Sequence, residues 1–106
     1  MNTVFVWGVP IVKETKYVRL TKKIIRYFKR HDLGNVVVFY PSDRMEWDLG
    51  KEMAVYVSGP NIAHNVTIRQ DIAITIGTFV QEAFNCERIS CSVLDEPKGN
   101  GYWLSR

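Results

Sequence analysis

Apolar residues recur along this chain with two different periods, one typical of strands and one of helices. The β-branched and aromatic segment from Thr3 to Trp7 predicts a first strand, which the turn residues Gly8 to Pro10 end. From about Thr15 to Arg30 apolar residues return every three or four positions, which predicts an amphipathic helix. The apolar face of that helix holds Tyr17, Leu20, Ile24 and Phe28.

The next two strand segments are apolar without alternation. Val36 to Tyr40 and Met53 to Val57 are continuous apolar runs that end at turn residues. A strand with one face in water should alternate apolar and polar residues, so we expect both faces of these strands to be covered. The segment 42–51 between them is predicted as a loop.

The second half of the chain repeats the order of the first. An apolar stripe from about Val66 to Phe84 predicts a second helix, with Asn65 as its N-cap. The segment from Arg88 to Leu94 alternates and predicts a strand, and a short edge strand is predicted at 102–104. The stripe consists of Ile68, Ile72, Ile76, Phe79, Val80 and Ala83, and the alternating strand places Ile89, Cys91 and Val93 opposite Ser90, Ser92 and Leu94.

This order predicts one α+β domain over residues 1–106, with halves of about 1–50 and 51–106. Each half is a β-α-β unit, and the two units form a four-stranded mixed sheet with short edge strands. Because crossovers are right-handed, both helices lie on one face of the sheet. Two helices cover only that face, so we expect another copy of the chain to cover the second.

Charge is concentrated in the first helix, although the whole chain of 106 residues carries a net charge of only +3. Eight basic residues lie between Lys13 and Arg30, against the single acid Glu14. One hypothesis is therefore a basic, ferredoxin-like module that binds nucleic acid. The strands lack the glycine-and-aromatic signature of RNA-binding sheets, so a solvated outer helix face is the favoured interpretation.

Other function classes find little support in the residue pattern. No run approaches the roughly 20 apolar residues of a membrane span, and no targeting leader is visible. Cys86 and Cys91 lack C-x-x-C spacing and suit reduced thiols in a cytoplasmic protein. His31 and His64 have no second ligand at metal-binding spacing, and no glycine-rich phosphate loop is present. We therefore expect neither a metal nor a cofactor.

Three short motifs share their spacing with one known family. The chain opens on residues 1–10 with Val9-Pro10 closing the first strand, and the second strand ends in Tyr40-Pro41-Ser42-Asp43. Near the end, Glu87-Arg88-Ile89 is followed by Asp95 and by Tyr102-Trp103. With these motifs the chain resembles the macrophage migration inhibitory factor branch of the tautomerase superfamily.

The resemblance implies a homotrimer with sites at its subunit interfaces. In that family an N-terminal proline acts as general base on small enols and keto acids, and a nearby cation holds the substrate carboxylate. Here Met1 stands at the position of the proline, so its primary amine would be a weaker replacement. Arg30 falls on the family's substrate-binding lysine, and Arg44 is a second candidate cation.

Four further residues fall at positions that border the family's site. Ser90 and Ser92 replace polar and aromatic site residues, Ser58 lies at a strand-end turn, and Trp103 matches a terminal aromatic residue. The leading hypothesis is thus a tautomerase-like homotrimer that binds a small carboxylate but lacks standard proline-dependent activity. The alternative is an active keto-enol tautomerase that uses the Met1 amine with an arginine.

Overall fold

Six elements make up the computed structural model, which describes residues 2–41, 51–59, 62 and 66–95. In chain order they are β1 (Asn2–Trp7), α1 (Glu14–Arg30), β2 (Val36–Phe39), β3 (Glu52–Gly59), α2 (Val66–Phe84) and β4 (Arg88–Asp95). Each corresponds to an element predicted from periodicity, with ends that differ by at most two residues. The predicted N-cap Asn65, the edge strand at 102–104 and residues 42–50 of the predicted loop lie outside the described residues.

The four strands form one mixed sheet in the order β2-β1-β3-β4. β1 pairs parallel with β2, β3 pairs parallel with β4, and the two β-α-β units join through the antiparallel pair β1 and β3. At one end of the sheet β1 and β2 begin while β3 and β4 end, so that Thr3, Ser58 and Leu94 lie side by side. We call this end the upper edge. The predicted mixed sheet is confirmed.

The core lies between one sheet face and the two helices. Val4, Val6, Val55 and Val57 point to the helices from the two central strands and are at most 1% exposed. The predicted apolar faces of the helices supply the other side of this core: Leu20, Ile24 and Phe28 from α1, and Ile72, Ile76 and Val80 from α2. Burial of these alternating and stripe positions is what fixes which sheet face the helices cover.

One stripe residue does not follow the prediction. Ile68 in the first turn of α2 is 43% exposed. It faces the C-terminal end of α1, where it lines a cavity of about 360 Å³ together with Tyr27 and His31. The sheet therefore does not cover this side chain, and the buried part of the apolar stripe of α2 begins one turn later than predicted.

The start of β1 is fixed by a buried side chain. Asn2 is 4% exposed, and its Nδ2 donates hydrogen bonds to the carbonyl oxygens of Leu33 (2.8 Å) and Asn35 (3.0 Å). Gly59 packs directly on Asn2, and a Cβ at Gly59 would collide with the Asn2 Oδ1 atom. These contacts hold the first described residue of the chain at the upper edge.

Candidate functional site

The sheet face that points away from the helices is apolar and partly aromatic. In its middle row, strand register aligns Phe39, Phe5, Tyr56 and Ser92 across the four strands. The rings of Phe5 and Phe39 stack with centroids 4.9 Å apart. Trp7, Phe39, Tyr56 and Leu94 are each 42–48% exposed. The described residues of one chain thus leave this surface, which we call the open face, uncovered.

The predicted serines all lie on the open face but do not converge. Ser58 lies at the upper edge, where its Oγ is 2.8 Å from the Oγ1 of Thr3. Ser92 pairs with Tyr56 in the middle row, and Ser90 pairs with Ala54. From the level of Ser58 to that of Ser90 is four residues along the strands, or about 13 Å. Within one chain these hydroxyls therefore form a line rather than a pocket.

The other predicted site residues do not lie on the open face or fall outside the described residues. Arg30 is the last residue of α1 and is exposed, in the helix layer beside the upper edge. It thus lies on the side of the sheet opposite to the serines, and the structure does not bring it together with them. Met1, Arg44 and Trp103 lie outside the described residues.

Sequence reasoning missed Arg69, the fourth residue of α2. It comes three residues before Ile72 and seven before Ile76, and so shares the helix face that packs on the sheet. Its side chain is half-buried, and its Nε atom is sealed from solvent without a hydrogen-bond partner. A buried guanidinium N–H without an acceptor is rare, because desolvation is then left uncompensated.

Arg69 lies in the first turns of α2, two residues before Asp71. α2 begins on the upper-edge side of the molecule, because its first turns line a cavity with His31 and Leu33 beyond the end of α1, and the first turn of this 19-residue helix contains no acidic residue. The N-terminal end of a helix carries a partial positive charge from its aligned peptide dipoles. Arg69 adds a full positive charge to this end of the helix, and Asp71 adds a negative charge in the next turn. The signal in the sequence was a single basic residue within an apolar stripe.

The basic face of α1 points outward. Seven basic side chains from Lys16 to Arg30 are exposed, and some of them flank the groove between α1 and α2. Lys23 extends towards α2, where its Nζ lies 4.5 Å from the centroid of the Phe79 ring and 3.7 Å from Glu82. This arrangement fits a solvated outer helix face.

The two thiols do not have the properties of nucleophiles. Burial raises the pKa of Cys91 to about 11 and also raises the pKa of Cys86. Nucleophilic cysteines have lowered pKa values, so both thiols fit structural packing. In the described part of the chain, no three His, Cys, Asp or Glu side chains are placed to hold a metal ion, and no helix is long and apolar enough to cross a membrane.

Comparison with solved structures identifies the fold. No protein-family model matches the sequence, and no curated protein matches it. The crystal structure of Pt0534 inactivated by 2-oxo-3-pentynoate is similar, with a TM-score of 0.68 over 93% of this chain and 89% of that chain. The two sequences are 13% identical, so the likeness concerns the fold alone. The four-stranded mixed sheet with two helices is a tautomerase-like fold.

Proposed function

We propose that this chain is a tautomerase-superfamily-like protein that assembles as a homotrimer through its open face and binds a small carboxylate at the subunit interfaces. We further propose that it lacks the standard proline-dependent tautomerase activity. The observation that carries the proposal is the open face itself. A folded chain that leaves a row of stacked aromatic residues half-exposed has an interaction surface there.

A second copy of the chain is the occupant that suits this face best. The open face is nearly free of charge over its three upper rows, and the described salt bridge of the sheet, Arg88 to Glu52, lies at the opposite end. A surface of this kind is most readily covered by another apolar sheet face. In a closed ring of three chains, each open face is removed from water by its neighbours.

The dispersed positions of the predicted site residues support an interfacial site. Ser58, Ser90 and Ser92 line the open face, and hydroxyls of this kind donate hydrogen bonds to carboxylate oxygens. When two open faces meet, residues of one chain approach those of the next. Met1, Arg30, Arg44 and Trp103 complete the proposed site from either chain.

The ligand class follows from the fold relation and from the basic residues. Pt0534, which shares the fold, is inactivated by 2-oxo-3-pentynoate, a small 2-oxo carboxylate. We therefore propose small 2-oxo carboxylates as the ligands of this chain. Met1 in place of proline leaves a primary amine, with a reference pKa of about 7.7–8.0, instead of a rigid secondary amine.

Binding and turnover of phenylpyruvate test the proposal together. We expect saturable binding of phenylpyruvate in a calorimetric titration, no binding of its uncharged methyl ester, and no keto-enol turnover above that of buffer. A complete lack of binding by phenylpyruvate, pyruvate and related 2-oxo acids would contradict the proposal. Turnover that disappears when the N-terminal amine is blocked would instead establish the active tautomerase, with the Met1 amine as base and Arg30 or Arg44 as cation.

A further inference from the structure

A groove between α1 and α2 runs along the helix layer, on the side of the molecule opposite to the open face. The two helices are antiparallel, since the end of α1 meets the start of α2 and the start of α1 meets the end of α2. Near the start of α1 the groove widens into a cavity of about 360 Å³, which we call the lysine cavity. Its walls include Lys16, Arg19 and Lys23 of α1 and Phe79 and Glu82 of α2.

A second cavity of about 360 Å³, which we call the histidine cavity, lies in the same groove near the end of α1. Its walls include Tyr27 and His31 on one side and Asp71 of α2 on the other. Between the two cavities the rings of Tyr27 and Phe79 meet edge to face, with centroids 6.0 Å apart. Glu82 follows Asp71 by eleven residues of α2, so the cavities lie about 16 Å apart along the groove.

The two walls of the groove differ in charge. Lys23 of the α1 wall is paired with Glu82, whereas Lys16 and Arg19 have no acidic side chain within ion-pair distance among the described residues. The α2 wall carries one acid at each cavity, Glu82 and Asp71. An occupant of the groove therefore meets positive charge on one flank and negative charge on the other. The basic flank is about 21 Å long, and its residues recur at three- and four-residue spacing: Lys16, Arg19, Lys23, Arg26 and Arg30.

The floor of the groove is apolar. Leu20 is 2% exposed at the bottom of the lysine cavity, where Ala83 lies beside it. In the histidine cavity Ile68 is 43% exposed, although the other wall of that cavity stands next to it. Hydration of a charged helix surface requires neither two cavities nor an exposed isoleucine. An apolar floor between charged flanks is instead typical of a groove that receives a helix.

We propose that this groove binds an amphipathic helix of a partner protein, with apolar anchors eleven residues apart and carboxylates along one flank. Side chains at that spacing lie on one face of a helix and span the distance between the two cavities. The acidic flank faces the basic wall of α1, and the other flank, uncharged or basic, faces Glu82 and Asp71. The proposal is independent of the 2-oxo carboxylate site, because the groove remains accessible when open faces meet.

The same charges argue against nucleic acid as the occupant. Every phosphate of a nucleic acid is negative, so Glu82 and Asp71 on the α2 wall would repel the strand. Single strands also stack their bases on aromatic rings, and the Phe79 ring already carries the Lys23 ammonium 4.5 Å from its centroid. A helix with acids on one flank alone avoids both conflicts.

Fluorescence anisotropy of labelled synthetic peptides with the full chain tests the proposal. The first peptide places leucines along one helix face over eleven residues, glutamates on one flank and glutamines on the other. The second peptide has glutamine in place of every glutamate, and the third has the composition of the first with its leucines moved off the common face. We expect the first peptide to bind, the second and third to bind at least tenfold more weakly, and added salt to weaken binding of the first.

Two matched pairs of variants locate the binding surface. Arg19→Glu reverses a charge on the α1 wall, and Lys29→Glu makes the same change at an exposed position of α1 outside both cavities. Ile68→Glu places a charge in the histidine cavity, and Ile74→Glu places one at an exposed position of α2 outside the groove. We expect Arg19→Glu and Ile68→Glu to bind the first peptide at least tenfold more weakly, and the two controls to stay within threefold of the wild type.

Equal losses in Arg19→Glu and Lys29→Glu would reveal unspecific attraction of charge and overturn the proposal. A first peptide that does not bind would also overturn it, as would tighter binding of a single-stranded oligonucleotide than of that peptide. A measurement on the wild type needs no variant to fold. In ¹H–¹⁵N NMR spectra the first peptide should shift the amide signals of residues 16–23 and 79–83, and shifts confined to the strands would contradict the proposal.

Discussion

Asn2 shows how much of this fold depends on single polar side chains. Its amide donates to two carbonyl oxygens of the segment before β2, and its backbone N–H donates to the oxygen of Asn35 at 3.0 Å. Two strands that are far apart in the sequence are thus connected at the upper edge. The buried amide also explains the need for Gly59 on the neighbouring strand.

Replacement of Asn2 by Ala should therefore destabilise the chain. The Leu33 oxygen loses the donor that Asn2 supplies, while the Asn35 oxygen keeps the backbone N–H of residue 2, and an unsatisfied buried carbonyl costs about 1–3 kcal/mol. For a domain of this size each kcal/mol lowers the unfolding temperature by roughly 4–8 °C. Asn35→Ala is the control, since the side chain of Asn35 is exposed and should change stability by less than about 0.5 kcal/mol. Equal unfolding temperatures for the two variants would show that the Asn2 amide has no structural role.

At the scale of the elements, the packing of α2 on β4 is close and apolar. Gly77 of α2 faces Cys91 of β4, and a Cβ on Gly77 would lie 3.2 Å from the Cβ of Cys91. This close approach buries the thiol, and burial raises the pKa of Cys91 to about 11. The neutral thiol is therefore part of the helix–sheet contact over the physiological pH range.

The raised pKa of Cys91 predicts a loss of stability in alkali. In the unfolded chain the thiol ionises near its ordinary pKa of 9.0, whereas in the folded chain it ionises near 11. Its contribution is fully present below pH 9 and is lost as the pH rises from 9 to 11. Between pH 8 and pH 10, urea unfolding should show that the wild type loses on the order of 1 kcal/mol more stability than Cys91→Ala. Parallel pH profiles of the two proteins would refute the assignment.

The sequence allowed the elements to be predicted but not the site. Periodicity located all six described elements, because burial on a helix face or a strand face repeats at a fixed spacing. The prediction that Ile68 belongs to the stripe of α2 that packs on the sheet was wrong. The exposure of this side chain depends on where α1 ends and not on the apolar periodicity of α2. Arg69 was missed for a related reason. A long charged side chain within an apolar stripe can reach solvent or remain buried, and only the position of the sheet edge decides between these outcomes.

At the scale of the whole molecule, the open face determines whether the chain is a monomer or assembles with other copies. Its three upper rows combine half-exposed aromatic residues with small hydroxyl residues. The helices pack on the other face, and nothing in the described part of the chain covers this one. We propose that assembly into a ring of three chains buries the open face.

A charge introduced into the open face should break this assembly. Tyr56 lies in the middle row and is 42% exposed in the single chain. Tyr56→Glu would bury an unpaired carboxylate at the interface, so we expect it to be monomeric at micromolar concentrations. Ile74→Glu is the matched control, because Ile74 is 57% exposed on α2 and outside the open face. Light scattering after size-exclusion chromatography should find Ile74→Glu in the same assembly as the wild type. Loss of the assembly in both variants, or in neither, would argue against the open face as the interface.

The most direct test of the proposed function is native mass spectrometry of the wild type with phenylpyruvate. A carboxylate-binding trimer predicts a species of about three times the 12.3 kDa chain mass that takes up at most three ligands. The ligand should be retained only by that species, since the site needs residues of two chains. A monomer that binds phenylpyruvate, or a trimer that binds none, would contradict the account.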